Sequence, residues 1–285
     1  MAKDPGKKDG KKKRKHPILK AILIILVVVI AAAGIFIYRA YQEYLTETDS
    51  TMAALIGSEA PDFTVQTTDG EGFTLSEALE SRELVLLNVF ASWCGPCENE
   101  FPEFEKVYQK YQGKMEIIAI SGDSDDTMEV ITDYKKSHGL SFPMGIAEGN
   151  VDFVPVSGYP TTVLIDRTGK VVFCQSGTIP NETILEDLVT GFLGDSYDGK
   201  PVYLYTIATH NDKEYVGGVS IRLTAEDGST AEVTTAADGF AYLKTNEPHT
   251  YTMEITGLPD GYSGGDTKGK AGPNSGWTTI LLKAK

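Results

Sequence analysis

The chain has 285 residues, with 26 Lys+Arg, 40 Asp+Glu and 3 Cys, and 41% of it is apolar. That length suits about two domains, the apolar share excludes wholesale disorder, and three cysteines exclude a disulfide-stapled mini-scaffold. The net charge of −14 argues against nucleic-acid binding, but it is unevenly distributed: residues 1–20 carry nine Lys/Arg against two Asp, residues 21–38 none, and residues 39–285 carry 17 Lys/Arg against 38 Asp/Glu.

Residues 21–38 read AILIILVVVIAAAGIFIY, an uncharged run of 18. At a helical rise of 1.5 Å it spans about 27 Å, close to a bilayer's hydrocarbon core. The basic tail, residues 1–20, predicts a cytoplasmic N-terminus, so residues 39–285 belong outside the plasma membrane, where disulfides persist. Tyr38, Tyr41 and Tyr44 suit the outer interface. The alternative is a secretory signal cut near Ala31-Ala32-Ala33-Gly34. Residues 39–56 read as a polar stalk.

Folded sequence begins near Gly57. Residues 63–75 predict a hairpin around Asp69-Gly70. The unbroken apolar run at 84–92 predicts a buried central strand, followed by a helix from about Cys94 to Tyr111 and a strand at 115–121. Asp126 or Thr127 caps a helix running to His138. Strands at 161–166 and 170–177 flank a turn at 167–169, and Thr183 with Glu186 fits a capping box for a last helix ending near Gly194. This alternation predicts an α/β sandwich around a mixed sheet for residues 57–194. After 195–200 the texture changes. VYLYTIA, GVSIRLTA, AEVTTA, GFAYLKT, YTMEIT and WTTILL are short strands between turn residues, which predicts an all-β sandwich over 201–285.

The chemistry concentrates at Trp93-Cys94-Gly95-Pro96-Cys97. Two cysteines spaced by two residues, at a strand-to-helix junction, lie within disulfide reach across the first turn. Free amides and the helix dipole stabilise a thiolate there, which makes Cys94 the nucleophile and Cys97 the resolving thiol. Pro96 needs no amide partner in a first turn, and Trp93 offers a flat apolar surface beside the sulfur. A zinc site lacks further ligands, since Cys174 and the four His at 16, 138, 210 and 249 are scattered along the chain. We assign neither metal nor cofactor beyond the cysteine pair. Cys174, in VVFCQ, reads as a core residue, and His210 and His249 as structural.

WCGPC is the motif of thioredoxins, and the wider frame resembles the membrane-anchored extracytoplasmic thiol-disulfide oxidoreductases of the TlpA/ResA type, with a redoxin (AhpC/TSA-like) domain. The resemblance is carried by GSEAPDFTVQTTDG, LLNVFASWCGPCENEFPEFEKVY, MEIIAIS and YPTTVLIDRTGKVV. It implies a thioredoxin fold, disulfide exchange on extracytoplasmic proteins, and a membrane thiol carrier of a bacterium as electron donor. It also implies that Pro160 is a cis-proline binding substrate backbone and that Tyr159 before it contributes specificity. Glu100 matches the acid of CxxCxxE, and Pro102 the proline within the active-site helix. Asn88 stands where cytosolic thioredoxins bury an acid, which leaves Glu100 as the proton acceptor. Peroxidases of this fold place Pro and Thr/Ser where Leu87 and Ala91 stand. A surface-displayed binding protein with a redox-inert scaffold is the reading from another class.

The C-terminal segment resembles the Cna-B/transthyretin-like (prealbumin-like) sandwiches, through GVSIRLTAEDG, TTAADGFAYL and YTMEITGLPDGY, which implies a small Greek-key fold. Some relatives form a Lys–Asn crosslink assisted by Glu. Here the first strand has no Lys and Ile255 replaces the Glu, so no crosslink is expected.

Overall fold

The computed structural model describes residues 17–149, 151–194, 197–273 and 276–285, with side chains from residue 24 onward except 41–51 and 53. The chain divides into two units, Met1–Thr46 and Glu47–Lys285.

Helix α1 (Pro17–Leu55) includes residues 21–38, and its apolar side chains at 24–30 and 35–38 are exposed. Among the described residues, however, no helix is long and apolar enough to cross a membrane. The span expected over 21–38 is therefore not established; it begins three residues before the first described side chain. The basic tail up to residue 16, and the side chains of Tyr41 and Tyr44, lie outside the described residues.

In the second unit, β1 (Thr64–Gln66) and β2 (Gly72–Thr74) form the predicted hairpin, with Gly70 at a φ of 80° that its turn requires. Helix α2 (Leu75–Ser81) follows, an addition to the sequence reading. The main sheet contains β3 (Leu84–Phe90), β4 (Met115–Ser121), β5 (Met144–Ile146), β6 (Thr161–Asp166) and β7 (Val171–Ser176), in the order β5-β4-β3-β6-β7. Strands β3, β4 and β5 run parallel, while β6 opposes β3 and β7 opposes β6. Parallel neighbours need crossovers, which α3 (Gly95–Tyr111) and α4 (Met128–His138) supply. Helix α5 (Glu182–Thr190) closes this half.

All seven residues of central β3 are buried, and they alternate between two cores. Leu84, Leu86 and Phe90 pack with Phe101, Phe104, Ile131 and Leu185 of the three helices. Val85, Leu87 and Val89 pack with Phe63, Phe73, Leu75 and Met52 on the opposite face. Of the two helix caps read from the sequence, one stands and one is corrected. Helix α4 is capped by Thr127, whose Oγ1 accepts from Val130 N at 3.3 Å, which leaves Asp126 free for another role. Helix α5 is capped by Asn181, accepting from Ile184 N at 3.0 Å, and it ends at Thr190. The expected Thr183/Glu186 capping box does not form, because Glu186 is taken by Lys110 and Tyr111 of α3.

The C-terminal strands are β8 (Tyr203–His210), β9 (Ser220–Ala225), β10 (Thr230–Thr234), β11 (Phe240–Thr245), β12 (Tyr251–Gly257), β13 (Tyr262–Gly265), β14 (Lys270–Ala271) and β15 (Trp277–Ala284). They form two four-stranded sheets, β10-β9-β12-β14 and β11-β8-β15-β13, whose inner residues share one core that includes Tyr205, Ile207, Leu223, Met253 and Ile280. Six of the strands are those read from the sequence; β13 and β14 are additional. This β-rich segment packs directly on the α/β half. Val202 N donates to Val172 O at 2.9 Å, Leu204 and Tyr242 enter the core beside α5, and Lys244 pairs with Asp187 at 2.5 Å.

Candidate redox site

The buried strand β3 ends at Phe90, and the chain turns through Ala91, Ser92 and Trp93 before α3 begins at Gly95. Cys94 is the N-cap of α3, and its sulfur accepts from Cys97 N at 3.2 Å. The two cysteines are joined as a disulfide with Cα atoms 5.3 Å apart, so the structure is of the oxidised state. Both are buried, while the neighbouring Trp93 is 69% exposed. Pro96 sits in the first turn of α3. Pro102 lies inside the helix, where it removes the amide that would bond the carbonyl of Glu98.

A neighbouring loop completes the surface. The Tyr159–Pro160 peptide bond is cis, and Pro160 is buried at the start of β6. Tyr159 packs edge-on against Trp93, with ring centres 5.8 Å apart, so the cis-proline loop lies beside the cysteine motif. A methyl group on Gly122 would stand 2.9 Å from the Tyr159 hydroxyl, so the ring rests where only glycine leaves room. On the other side, Trp93 Nε1 donates to Asp123 Oδ2 at 2.5 Å. The Asp125 amide and this indole hold the Asp123 carboxyl below its ordinary range.

Beneath the helix start lies a buried polar group. Glu100, 1% exposed, is on α3 one turn beyond Cys97. Its Oε1 accepts from Asn88 Nδ2 at 3.2 Å and its Oε2 from Ile179 N at 3.1 Å. Burial pushes its pKa well above the ordinary glutamate value, against the lowering effect of the Ile179 amide and Thr162. Asn88 Nδ2 also donates to Thr162 Oγ1 at 3.1 Å, while Asn88 Oδ1 has no partner among the described residues. Asn88 therefore holds Glu100 by a neutral donor, where an acid would repel it.

The sequence reading did not find Asp126 as part of the site. Its carboxylate accepts from Ser92 N at 2.9 Å and from the hydroxyls of Ser92 and Ser121, so it ties the loop before Cys94 to the end of β4. The signal was present but ambiguous, because an Asp just before a helix reads first as a cap. The other singled-out residues fall elsewhere. Cys174 is a free, fully buried thiol in the core across the sheet from the cysteine pair, and burial pushes its pKa up to about 12. His210 Nδ1 is bonded at 2.7 Å to the Asn211 carbonyl, and His249 stacks edge-on against Tyr251. Ile255 packs against the sandwich core.

Residues 56–174 match the AhpC/TSA family. The thioredoxin-like protein YneN of Bacillus subtilis is 30% identical over 154 residues, covering 53% of this chain and 89% of that protein. The thiol-disulfide oxidoreductase ResA of Bacillus cereus is 36% identical over 138 residues, covering 47% and 76%. A solved thiol:disulfide interchange protein of the thioredoxin family from Chlorobium tepidum is 25% identical, with a TM-score of 0.41 and coverage of 48% of this chain and 97% of that one.

Proposed function

The chain belongs to the thioredoxin-like thiol-disulfide oxidoreductases that include ResA, and from that premise we propose that it is an extracytoplasmic disulfide reductase working at Cys94 and Cys97. One observation carries this reading: the Cys94 sulfur caps the N-terminus of α3, where amide hydrogens favour its thiolate over its thiol.

In the reduced protein, Cys94 thiolate attacks one sulfur of a substrate disulfide. A Cys94–substrate bond forms, and the other substrate sulfur leaves as a thiolate. Cys97 then loses its proton and attacks the Cys94 sulfur, releasing the second substrate thiolate. Two electrons have passed to the substrate, and the protein is left in the oxidised state seen here. Glu100, one turn below Cys97, is the group to take and return that proton, because a carboxyl raised by burial titrates nearer the thiol. Pro160 and Tyr159 would hold the substrate backbone beside Trp93. The cysteine pair serves without a further cofactor. Leu87 and Ala91, both fully buried and apolar, provide no group to activate peroxide.

The exposed apolar surface of α1 and the charge reversal across residues 21–38 support a single-pass anchor with the basic tail in the cytoplasm. Its partners are then disulfide-containing proteins outside the membrane, with a membrane thiol carrier as electron donor. The β-rich segment is read as a Cna-B/prealbumin-like module without a crosslink. An intact mass showing loss of ammonia would overturn that.

The test is reduction of insulin by the dithiothreitol-reduced chain, followed by the reduction potential of its cysteine pair. Catalysed reduction with a potential near about −270 mV supports a reductase, and a value near about −120 mV an oxidase. No catalysis at any pH would leave only a redox-inert binding scaffold.

A further inference from the structure

The outer face of sheet β11-β8-β15 is used in two ways. At one end, Val202, Leu204 and Tyr242 are packed into the core beside α5. Farther along, Phe240 has its ring centre 5.3 Å from Trp277 and 4.8 Å from Tyr215, and this aromatic cluster is left uncovered. Tyr215 is 49% exposed and Trp277 38%. Phe240 shares the face of Tyr242, two residues on along β11, and Trp277 pairs with Thr206, which on its other side pairs with Tyr242. The exposed ledge thus continues the docked surface.

The boundary between the two parts is the loop after β7, and that loop touches the redox site. Gly177 N donates to the Pro160 carbonyl at 2.8 Å. A methyl group on Gly177 would lie 3.4 Å from Gly276 Cα, directly before Trp277. Asn181 Nδ2 donates to Asp238 Oδ2 at 2.7 Å, two residues before Phe240. The ledge therefore begins where the cis-proline edge ends. Gly239 has a φ of 82°, and a methyl there would strike Tyr215 Cβ at 2.6 Å, so the backbone under Tyr215 is closely packed and its ring meets that of Phe240.

We infer that Tyr215, Phe240 and Trp277 form the outer half of the polypeptide-binding surface. They take an aromatic or large apolar side chain that flanks the cysteine of the substrate. The inference rests on the exchange reading above. Rigid aromatic surface binds such side chains at low entropic cost. Continuity with the Pro160–Gly177 edge favours the substrate chain over a second copy or a lipid surface as the occupant.

Two disulfide peptides of equal length, one with a Phe stepped outward from its cysteine and one with Ser in its place, test this on the full chain. The expected result is a roughly tenfold preference in kcat/KM for the Phe peptide at its best spacing, expressed in KM, and its loss in Trp277→Ala and in Tyr215→Ala. A preference that is absent, or unchanged in both variants, overturns the ledge. So does a wild-type dimer that Trp277→Ala dissolves, because the face then belongs to a second copy. Reduction of neither peptide overturns the exchange reading, and the ledge with it. A measurement that leaves the ledge intact uses Trp277 as the sole remaining tryptophan of the two, in Trp93→Phe/Cys97→Ser. Trapping the Phe peptide on Cys94 should shift its emission to the blue, and unchanged emission counts against the proposal.

Discussion

The α/β half and the β-rich half differ most in what they bury. The first buries the carboxyls of Glu100, Asp126 and Asp166 together with Asn88; among the described residues, the second buries no charged side chain, and its buried polar groups are Thr206, Thr209 and Thr235. Burying an unpaired carboxylate costs several kcal/mol, so a fold retains one where it has a use. Asp166 closes a turn by accepting from Thr168 and Lys170, whereas Glu100 and Asp126 lie under and beside the cysteine motif. The contrast agrees with the proposed placing of the chemistry in the first half and of the outer binding surface on the second.

The largest effect expected from breaking this contrast comes at the cysteines. Cys94→Ser should abolish disulfide reduction, and Cys97→Ser should accumulate mixed disulfides through Cys94, read by non-reducing electrophoresis of captured proteins. Next is Thr209→Val in the sandwich. The Thr209 hydroxyl donates to the Val216 carbonyl at 2.5 Å in a fully buried setting, so its loss should cost about 1–3 kcal/mol in urea unfolding. Insulin reduction should be unchanged, and a parallel loss of activity would erase the division of labour. Glu100→Gln should act through pH. A carboxyl whose folded pKa is raised binds more protons folded than unfolded. Its stability contribution is then complete below the unfolded pKa and is lost as pH rises through the folded one. As pH rises above the ordinary glutamate value, the wild-type Tm should therefore fall more steeply than that of the variant, and the pH profile of Cys97-dependent release should shift. Parallel curves would mean that Glu100 is not raised. The smallest effect is at Gly122→Ala. The new methyl would meet the end of the Tyr159 ring, which can move, and the buried Val89 Cγ1 at 3.1 Å, so stability should fall by about 1 kcal/mol while kcat/KM for peptides falls several-fold.

Much of this was legible in the sequence, for identifiable reasons. The apolar run of β3 and the WCGPC junction are local patterns, and both stand in the structure where they were read. The three-residue β5 was not legible. It is too short to show a period, and Gly145 is there because a methyl would lie 2.5 Å from the Gln66 carbonyl of another strand. The α5 cap was misread because a valid local pattern at Thr183 and Glu186 lost its glutamate to α3. The role of Asp126 was hidden because its partners, Ser92 and Ser121, come from two different strand ends.

By itself, the sequence determined the cysteine pair at a helix start, the α/β order, the β-rich tail and the charge reversal. These depend on neighbours within a few residues or on composition, which the chain carries without folding. Only the tertiary structure decided that Asn88 and the Ile179 amide converge on Glu100, that Tyr159 meets Trp93, and that the sandwich docks beside Gly177. Each of these joins different elements, 12 residues apart for Asn88 and Glu100 and 79 for Ile179 and Glu100, and burial there sets the carboxyl's proton affinity, which no local pattern encodes.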